Sequence, residues 1–247
     1  MKTKVAYTGW SAAFFLLTLV LALFSWVGSI YGVGEVQSLL GVEGVRWLLG
    51  HVVSNYVQTP ALGVVLILLM GMSIVVRSGM WDALKRFCQP GRLLSSKERR
   101  ALVVSVGLLV VYVLLVLVAI LMPWNIGQSV VGSWLHSPFA KGVAYVFSLG
   151  IGLSGMIYGY ASDSFRHWSD VFGAMSSLIT RHASYFVALF FISQFFASFV
   201  YVRMDEWLGV SPDILSVVTL FISYLPLFFH SDSMLLRFLR GSLHAHV

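Results

Sequence analysis

The stretch RSGMWDALKRFCQPGRLLSSKERR, residues 77–100, decides how this chain folds. It holds seven of the sixteen Lys and Arg residues, and long apolar runs lie on both sides of it. Loops that stay on the cytoplasmic side of a membrane collect Lys and Arg close to the spans. The stretch is therefore predicted to be an inner loop between two spans, and the other segments are counted outward from it.

Composition indicates that lipid is the solvent of the whole chain. The 247 residues are 58% hydrophobic and only 11% charged, whereas about 25% of the residues of an ordinary soluble domain are charged. We therefore expect an integral membrane protein whose first partner is the lipid bilayer. The net charge of +6 follows from positive-inside bias, so nucleic acid is not expected as a partner.

Six apolar runs are predicted to cross the membrane. A backbone inside lipid must satisfy its own hydrogen bonds, so the predicted class is all-α and polytopic, with one transmembrane domain covering residues 1–247. Two further segments, within residues 34–59 and 163–182, show helical spacing of apolar residues and are predicted to be interfacial amphipathic helices. The predicted spans are residues 10–33, 61–76, 101–122, 139–162, 183–202 and 212–229.

The distribution of basic residues orients these spans. Thirteen Lys and Arg residues fall on one side of the six-span arrangement, and three fall on the other, namely Arg46, Lys141 and Arg203. We therefore expect a multi-pass protein with both termini in the cytoplasm. The lone cysteine, Cys88, lies in the inner basic loop, and no disulfide within one chain is possible.

The fourth predicted span is rich in small residues. Gly155 and Gly159 are four apart, a spacing that lets helix backbones approach closely in lipid. The same residues would also suit a broken helix that lines a substrate path. Asp163 at the inner end is either a solvated helix-end charge or the acid nearest to such a path. The candidate path residues of this segment are Gly150, Gly152, Ser154, Gly155, Gly159 and Asp163.

Gln194 is the one strongly polar side chain in the middle of a predicted span. It either donates a hydrogen bond to a neighbouring helix or offers its amide to a substrate. Phosphate-binding loops, Ser–His–Asp arrangements and paired carboxylates are not found, so no catalytic residue and no enzyme activity is predicted. The tail residues His230, Asp232, His244 and His246 do not form a supported ligand set, so no metal or cofactor is predicted.

Two regions carry a resemblance that is more specific than hydropathy. SWVGSIYG at residues 25–32, LGVEGVRW at residues 40–47 and the pair Ser78-Gly79 follow one another in the order found in the AbgT family of p-aminobenzoyl-glutamate transporters. A second region, residues 155–209, resembles a later segment of that family, with a Tyr-Gly turn, a Met- and Ser-containing amphipathic helix, and Gln194-Phe195 in a Phe-rich span.

The chain resembles a shortened AbgT member. The family's Ser-Asn-x-x-Ser-Asp-Ala-Gly stretch is not found between Ala101 and Ser154, and its Ser-Ala-Lys-Trp and Gly-Asp-Ser stretches are not found after Gly209. The resemblance implies secondary transport of p-aminobenzoyl-glutamate, or of a related aromatic amide or sulfonamide compound, across a bacterial inner membrane. A chain of six spans without a buried charge needs a second copy to build such a site, so a homodimer is expected. A non-transporting membrane scaffold or partner subunit derived from the same framework is the alternative.

Overall fold

The computed structural model describes residues 2–32, 36–88, 94–121 and 138–228. Within these ranges the chain forms helices and no strand, which confirms the predicted all-α class. The helices are α1 Lys2–Tyr31, α2 Val42–Val57, α3 Pro60–Ser78, α4 Met80–Cys88, α5 Ser96–Leu121, α6 Pro138–Ala161, α7 Trp168–Arg181, α8 Ala183–Tyr201, α9 Met204–Leu208 and α10 Pro212–Phe228.

Five segments of the described ranges are long and apolar enough to cross a membrane. The sixth predicted span corresponds to α10, whose 17 residues reach about 25 Å at 1.5 Å per residue, close to the lower limit for a span. Pro226 lies inside α10, and the helix continues through it to Phe228. The five segments are Tyr7–Tyr31, Val42–Ser78, Ser96–Ile120, Gly142–Ala161 and Ala183–Tyr201.

The basic stretch at residues 77–100 is helical over much of its length, which the prediction of a loop missed. Met80 and Ala83 of α4 are buried, so a short amphipathic helix packs where a loop was expected. The start of α5 is fixed by a reciprocal cap: Ser95 Oγ accepts from the Glu98 N–H at 3.2 Å, and the Glu98 carboxylate accepts from the Ser95 N–H at 3.0 Å. Glu98 also accepts a 2.8 Å hydrogen bond from Arg86, which joins α4 to α5.

The described residues group into two compact units. The single transmembrane domain predicted for residues 1–247 stays a prediction. Unit 1 is drawn from Met1–Gly63 and His182–Val247, and unit 2 is Val64–Arg181.

In unit 1, α8 packs against α1, α2, α9 and α10. Phe14 of α1 lies 5.5 Å from Phe195 and 6.4 Å from Phe196 between ring centroids. The Tyr185 hydroxyl donates to the Ser223 carbonyl oxygen at 3.0 Å, which ties α8 to α10. Aromatic contacts and one buried hydroxyl therefore hold the centre of this unit.

In unit 2, α6 packs against α5 and α4. Its Ser148 hydroxyl donates to the Ile67 carbonyl oxygen of α3 at 2.5 Å, and the Val146 carbonyl oxygen accepts from Tyr112 of α5 at 2.9 Å. The amphipathic helix α7 follows α6, and its Leu178 N–H donates to the Ser73 hydroxyl of α3 at 2.9 Å. Hydroxyl groups thus bond to the backbone of neighbouring helices throughout unit 2.

Candidate functional site

The glycines proposed to line a path are all in close contact with neighbouring elements of unit 2. A Cβ built on Gly150 would lie 2.5 Å from the Tyr112 ring, and one on Gly155 would lie 2.9 Å from the Val75 backbone nitrogen. Gly152 lies against Ile74 and Gly71 of α3 at ordinary contact distances. The separations at Gly150 and Gly155 leave no room for a side chain, so these contacts favour the close-packing alternative for α6.

The C-terminal end of α6 is covered by the residues that follow it in the chain. Phe165 folds back so that its ring lies directly against Gly159, and its N–H donates to the Gly159 carbonyl oxygen at 3.0 Å. Asp163 sits in this reversal with a positive φ of 62°, a left-handed position that Asp tolerates better than most residues. Its exposed carboxylate pairs with Lys97. Asp163 is therefore a helix-end residue in a surface ion pair, which contributes little stability.

Ser154 is fully buried in the middle of α6. Its hydroxyl donates to the Ser105 carbonyl oxygen of α5 at 3.1 Å and lies 3.6 Å from the Met80 sulfur. The Ser154 hydroxyl therefore donates its hydrogen to the neighbouring helix α5.

Gln194 is buried in unit 1 and bonds to α2. Its Nε2 donates to the Val52 carbonyl oxygen at 2.8 Å, and its Oε1 lies 3.4 Å from the Asn55 amide nitrogen. The first contact is a good hydrogen bond, whereas the second is long. Gln194 thus joins α8 to α2, and its side-chain oxygen accepts only the long hydrogen bond from Asn55.

Along their contact, α2 and α8 bring polar and aromatic side chains together. Residues 47, 51 and 55 share one face of α2, and residues 194, 198 and 201 share one face of α8. The Trp47 and Tyr201 rings stack at 4.3 Å with an interplanar angle of 20°, and His51 stacks on Trp47 at 5.4 Å. We call this set the α2–α8 seam: Trp47, His51, Asn55, Gln194, Ser198 and Tyr201.

Ser198 is the unusual member of the seam. It is fully buried, and its hydroxyl has no hydrogen-bond partner among the described residues. A buried hydroxyl without a partner costs free energy and calls for an explanation.

Sequence reasoning found Gln194 but missed the rest of the seam. The signal was present as i, i+4, i+8 spacing on α2 and i, i+4, i+7 spacing on α8. The pairing of the two faces was not visible, because it depends on how the helices pack.

The predicted site residues therefore separate into two groups. Gly150, Gly152, Ser154, Gly155, Gly159 and Asp163 lie on α6 or at its end in unit 2, and Gln194 lies in unit 1. Their part in a substrate path stays a prediction. The tail residues His230, Asp232, His244 and His246 lie outside the described ranges.

A sequence model described as the AbgT putative transporter family matches residues 11–92 and 88–245. The chain belongs to this family. The two matched segments meet inside the basic stretch and together cover nearly the whole chain, so the resemblance predicted from residues 25–79 and 155–209 is confirmed. No curated protein sequence matches the chain significantly.

Two solved structures share the fold of this AbgT-family chain. The YdaH transporter of Alcanivorax borkumensis is 17% identical, with a TM-score of 0.69 over 81% of this chain and 72% of that chain. MtrF of Neisseria gonorrhoeae, described with a class of antimetabolite efflux pumps, is 16% identical, with a TM-score of 0.70 over 83% of this chain and 74% of that one. At these identities the likeness establishes the fold.

Proposed function

We propose that this AbgT-family chain is a secondary transporter of small aromatic amides, with p-aminobenzoyl-glutamate or a related sulfonamide compound as its substrate. Family membership supports transport across a membrane, and the similarity to MtrF, named with antimetabolite efflux pumps, supports an antimetabolite as the substrate. The observation that carries the substrate class is the α2–α8 seam, with its stacked rings and buried amide.

The chemistry of the seam suits such a substrate. An aromatic ring gains from stacking on Trp47 or Tyr201. The amide of Gln194 offers both a donor and an acceptor, and its acceptor is held only by the 3.4 Å contact with Asn55. The hydroxyl of Ser198, which lacks a partner among the described residues, adds a further polar contact. Gln194 and Tyr201 are seven residues apart, which is about 10 Å along α8. A ligand that carries an aromatic ring at one end and hydrogen-bonding groups further along matches this order of groups.

The experiment is uptake of radiolabelled p-aminobenzoyl-glutamate into proteoliposomes, with and without an imposed proton gradient. We expect saturable uptake above that of empty liposomes, and at least a tenfold loss in Gln194→Leu. Gln58→Leu is the matched control, because Gln58 is an exposed amide that follows the end of α2. Its uptake should equal that of the unchanged protein.

The scaffold alternative is favoured by a specific observation. Ser154 and the Gln194 nitrogen already have good hydrogen-bond partners. If folded protein takes up no substrate with or without the proton gradient, the scaffold role stands. If Gln194→Leu transports normally, the seam is a packing contact and the substrate path lies elsewhere. Size-exclusion chromatography with light scattering then tests the proposed homodimer independently of transport.

We also propose that the chain lies in a bacterial inner membrane with both termini in the cytoplasm. Cys88 is exposed at the end of α4, next to Lys85 and Arg86 of the stretch that the sequence predicts to be on the inner side. It should therefore stay unlabelled by an impermeant maleimide in intact cells and become labelled after permeabilisation. Equal labelling in both conditions would reverse the orientation.

A further inference from the structure

A surface groove of about 410 Å³ lies in unit 2, between the first turns of α5 and the end of α6. Its lining changes character along α5, from polar side chains in the first turns to apolar ones further along. The polar lining residues are Ser96, Lys97 and Arg100, and the apolar ones are Ala101, Val104 and Ala161.

The two cations of the groove have different surroundings. Lys97 pairs with Asp163, so its charge is largely balanced. Arg100 is exposed and has no carboxylate partner within the described ranges. The groove therefore carries a net positive charge at the end where α5 enters its apolar stretch.

We propose that this groove binds one anionic phospholipid, with the phosphodiester at Arg100 and Lys97 and an acyl chain along Val104 and Ala161. Charge complementarity selects the anionic headgroup, since each Lys or Arg near a membrane surface strengthens the binding of anionic lipid about fivefold. The apolar half of the groove selects a lipid over free phosphate, because only a lipid has hydrocarbon to bury there.

The neighbouring residue Arg99 separates this proposal from general positive-inside attraction. Arg99 and Arg100 are adjacent, carry the same charge and are both exposed, but only Arg100 lines the groove. Diffuse attraction to an anionic membrane would use the two equally, whereas a bound lipid would depend on Arg100.

The experiment is native mass spectrometry of the purified protein with added phosphatidylglycerol or phosphatidylcholine. We expect retention of phosphatidylglycerol but not of phosphatidylcholine, a loss of about fivefold in Arg100→Gln, and less than a twofold change in Arg99→Gln. Millimolar inorganic phosphate should not displace the lipid. Equal losses in the two variants, equal retention of the two lipids, or displacement by phosphate would each overturn the proposal.

Two further variants test the two ends of the groove separately. Asp163→Asn frees Lys97 and should increase retention of phosphatidylglycerol. Ala161→Leu adds bulk to the apolar half without changing charge, and should decrease retention although both cations are present. Ala161 is exposed, so folding should tolerate this change, and a monodisperse size-exclusion peak verifies it. Unchanged retention in both variants would contradict the assigned binding mode.

Discussion

In unit 2, α6 brings glycines and serines against its neighbours, whereas in unit 1, α8 brings rings and amides against α2. The contacts of α6 are close: Gly155 leaves no space for a Cβ beside the Val75 backbone, and Ser154 has its hydroxyl bonded. The α2–α8 seam is less complete, because the contact between Asn55 and Gln194 is 3.4 Å and the Ser198 hydroxyl lacks a described partner.

The difference bears on which contacts form the framework and which could serve the proposed transport function. Lipid tails are as apolar as Leu, so helices inside a membrane are held by close van der Waals packing and hydrogen bonds. A helix packed through glycine loses both if it moves. The long contact between Asn55 and Gln194 and the Ser198 hydroxyl cost little to rearrange, so under the proposed transport function a substrate would take up these groups first.

The largest effect is expected at Gly155. Gly155→Leu places a side chain where a Cβ alone would lie 2.9 Å from the Val75 nitrogen, so α3 and α6 must move apart. Overpacking of this kind typically costs about 1–3 kcal/mol, and we expect the yield of monodisperse protein to fall several-fold. Fluorescence-detected size-exclusion chromatography measures it.

Gly107→Leu is the matched control for this change. Gly107 lies within the apolar stretch of α5, and a Cβ there meets nothing within 4 Å among the described residues. Its yield should be close to that of the unchanged protein. If Gly155→Leu folds normally but alters uptake, α6 lines the substrate path and the close-packing interpretation is wrong.

A smaller effect on stability is expected at Trp47 in the seam. Trp47→Leu keeps an apolar side chain but removes the stacking on Tyr201, which we expect to contribute about 0.5–1.5 kcal/mol. Trp207→Leu is the comparison, because the nearest described ring to Trp207 is Phe24 at 6.0 Å. Thermal unfolding in detergent should show the larger decrease in Trp47→Leu, and uptake should fall only in that variant. Equal effects would show that the stack has no special role.

The helices could be predicted from sequence because lipid requires long apolar runs and internal backbone pairing. The basic stretch at residues 77–100 was misjudged because charge dominated its composition, although Ser95 and Glu98 carry the spacing of a helix cap. The small residues of α6 were recognisable as a group, but their partners were not. Gly150 meets Tyr112 and Gly155 meets Val75 only because of how α3, α5 and α6 pack, which no local pattern encodes.

Two buried serines should respond in opposite directions. Ser154→Ala removes a hydrogen bond to the Ser105 carbonyl oxygen, and such bonds between membrane helices average about 0.6 kcal/mol. Ser198→Ala removes a hydroxyl that has no described partner, so stability should be unchanged or slightly increased. Thermal unfolding of the two variants measures the contrast. A clear loss of stability in Ser198→Ala would mean that the hydroxyl already has a partner, and the seam would be as complete as the contacts of α6.

The smallest effect is expected at the start of α7, where Asp170 accepts backbone hydrogen bonds from Arg166 at 2.9 Å and His167 at 3.0 Å. These bonds hold the pKa of the exposed carboxyl below its ordinary value. The stabilisation is therefore complete above the unfolded pKa of about 3.9 and is lost as the pH falls through the lower folded value. Asp170→Asn should lower the melting temperature slightly at pH 7, and this difference should shrink at pH 3.

Asp213→Asn is the control, because the Asp213 carboxylate accepts no backbone hydrogen bond from the described residues. It should show the smaller difference at pH 7. A difference for Asp170→Asn that stays constant with pH would show that charge does not matter at this cap, and that α7 depends on its packing through Ser73 instead.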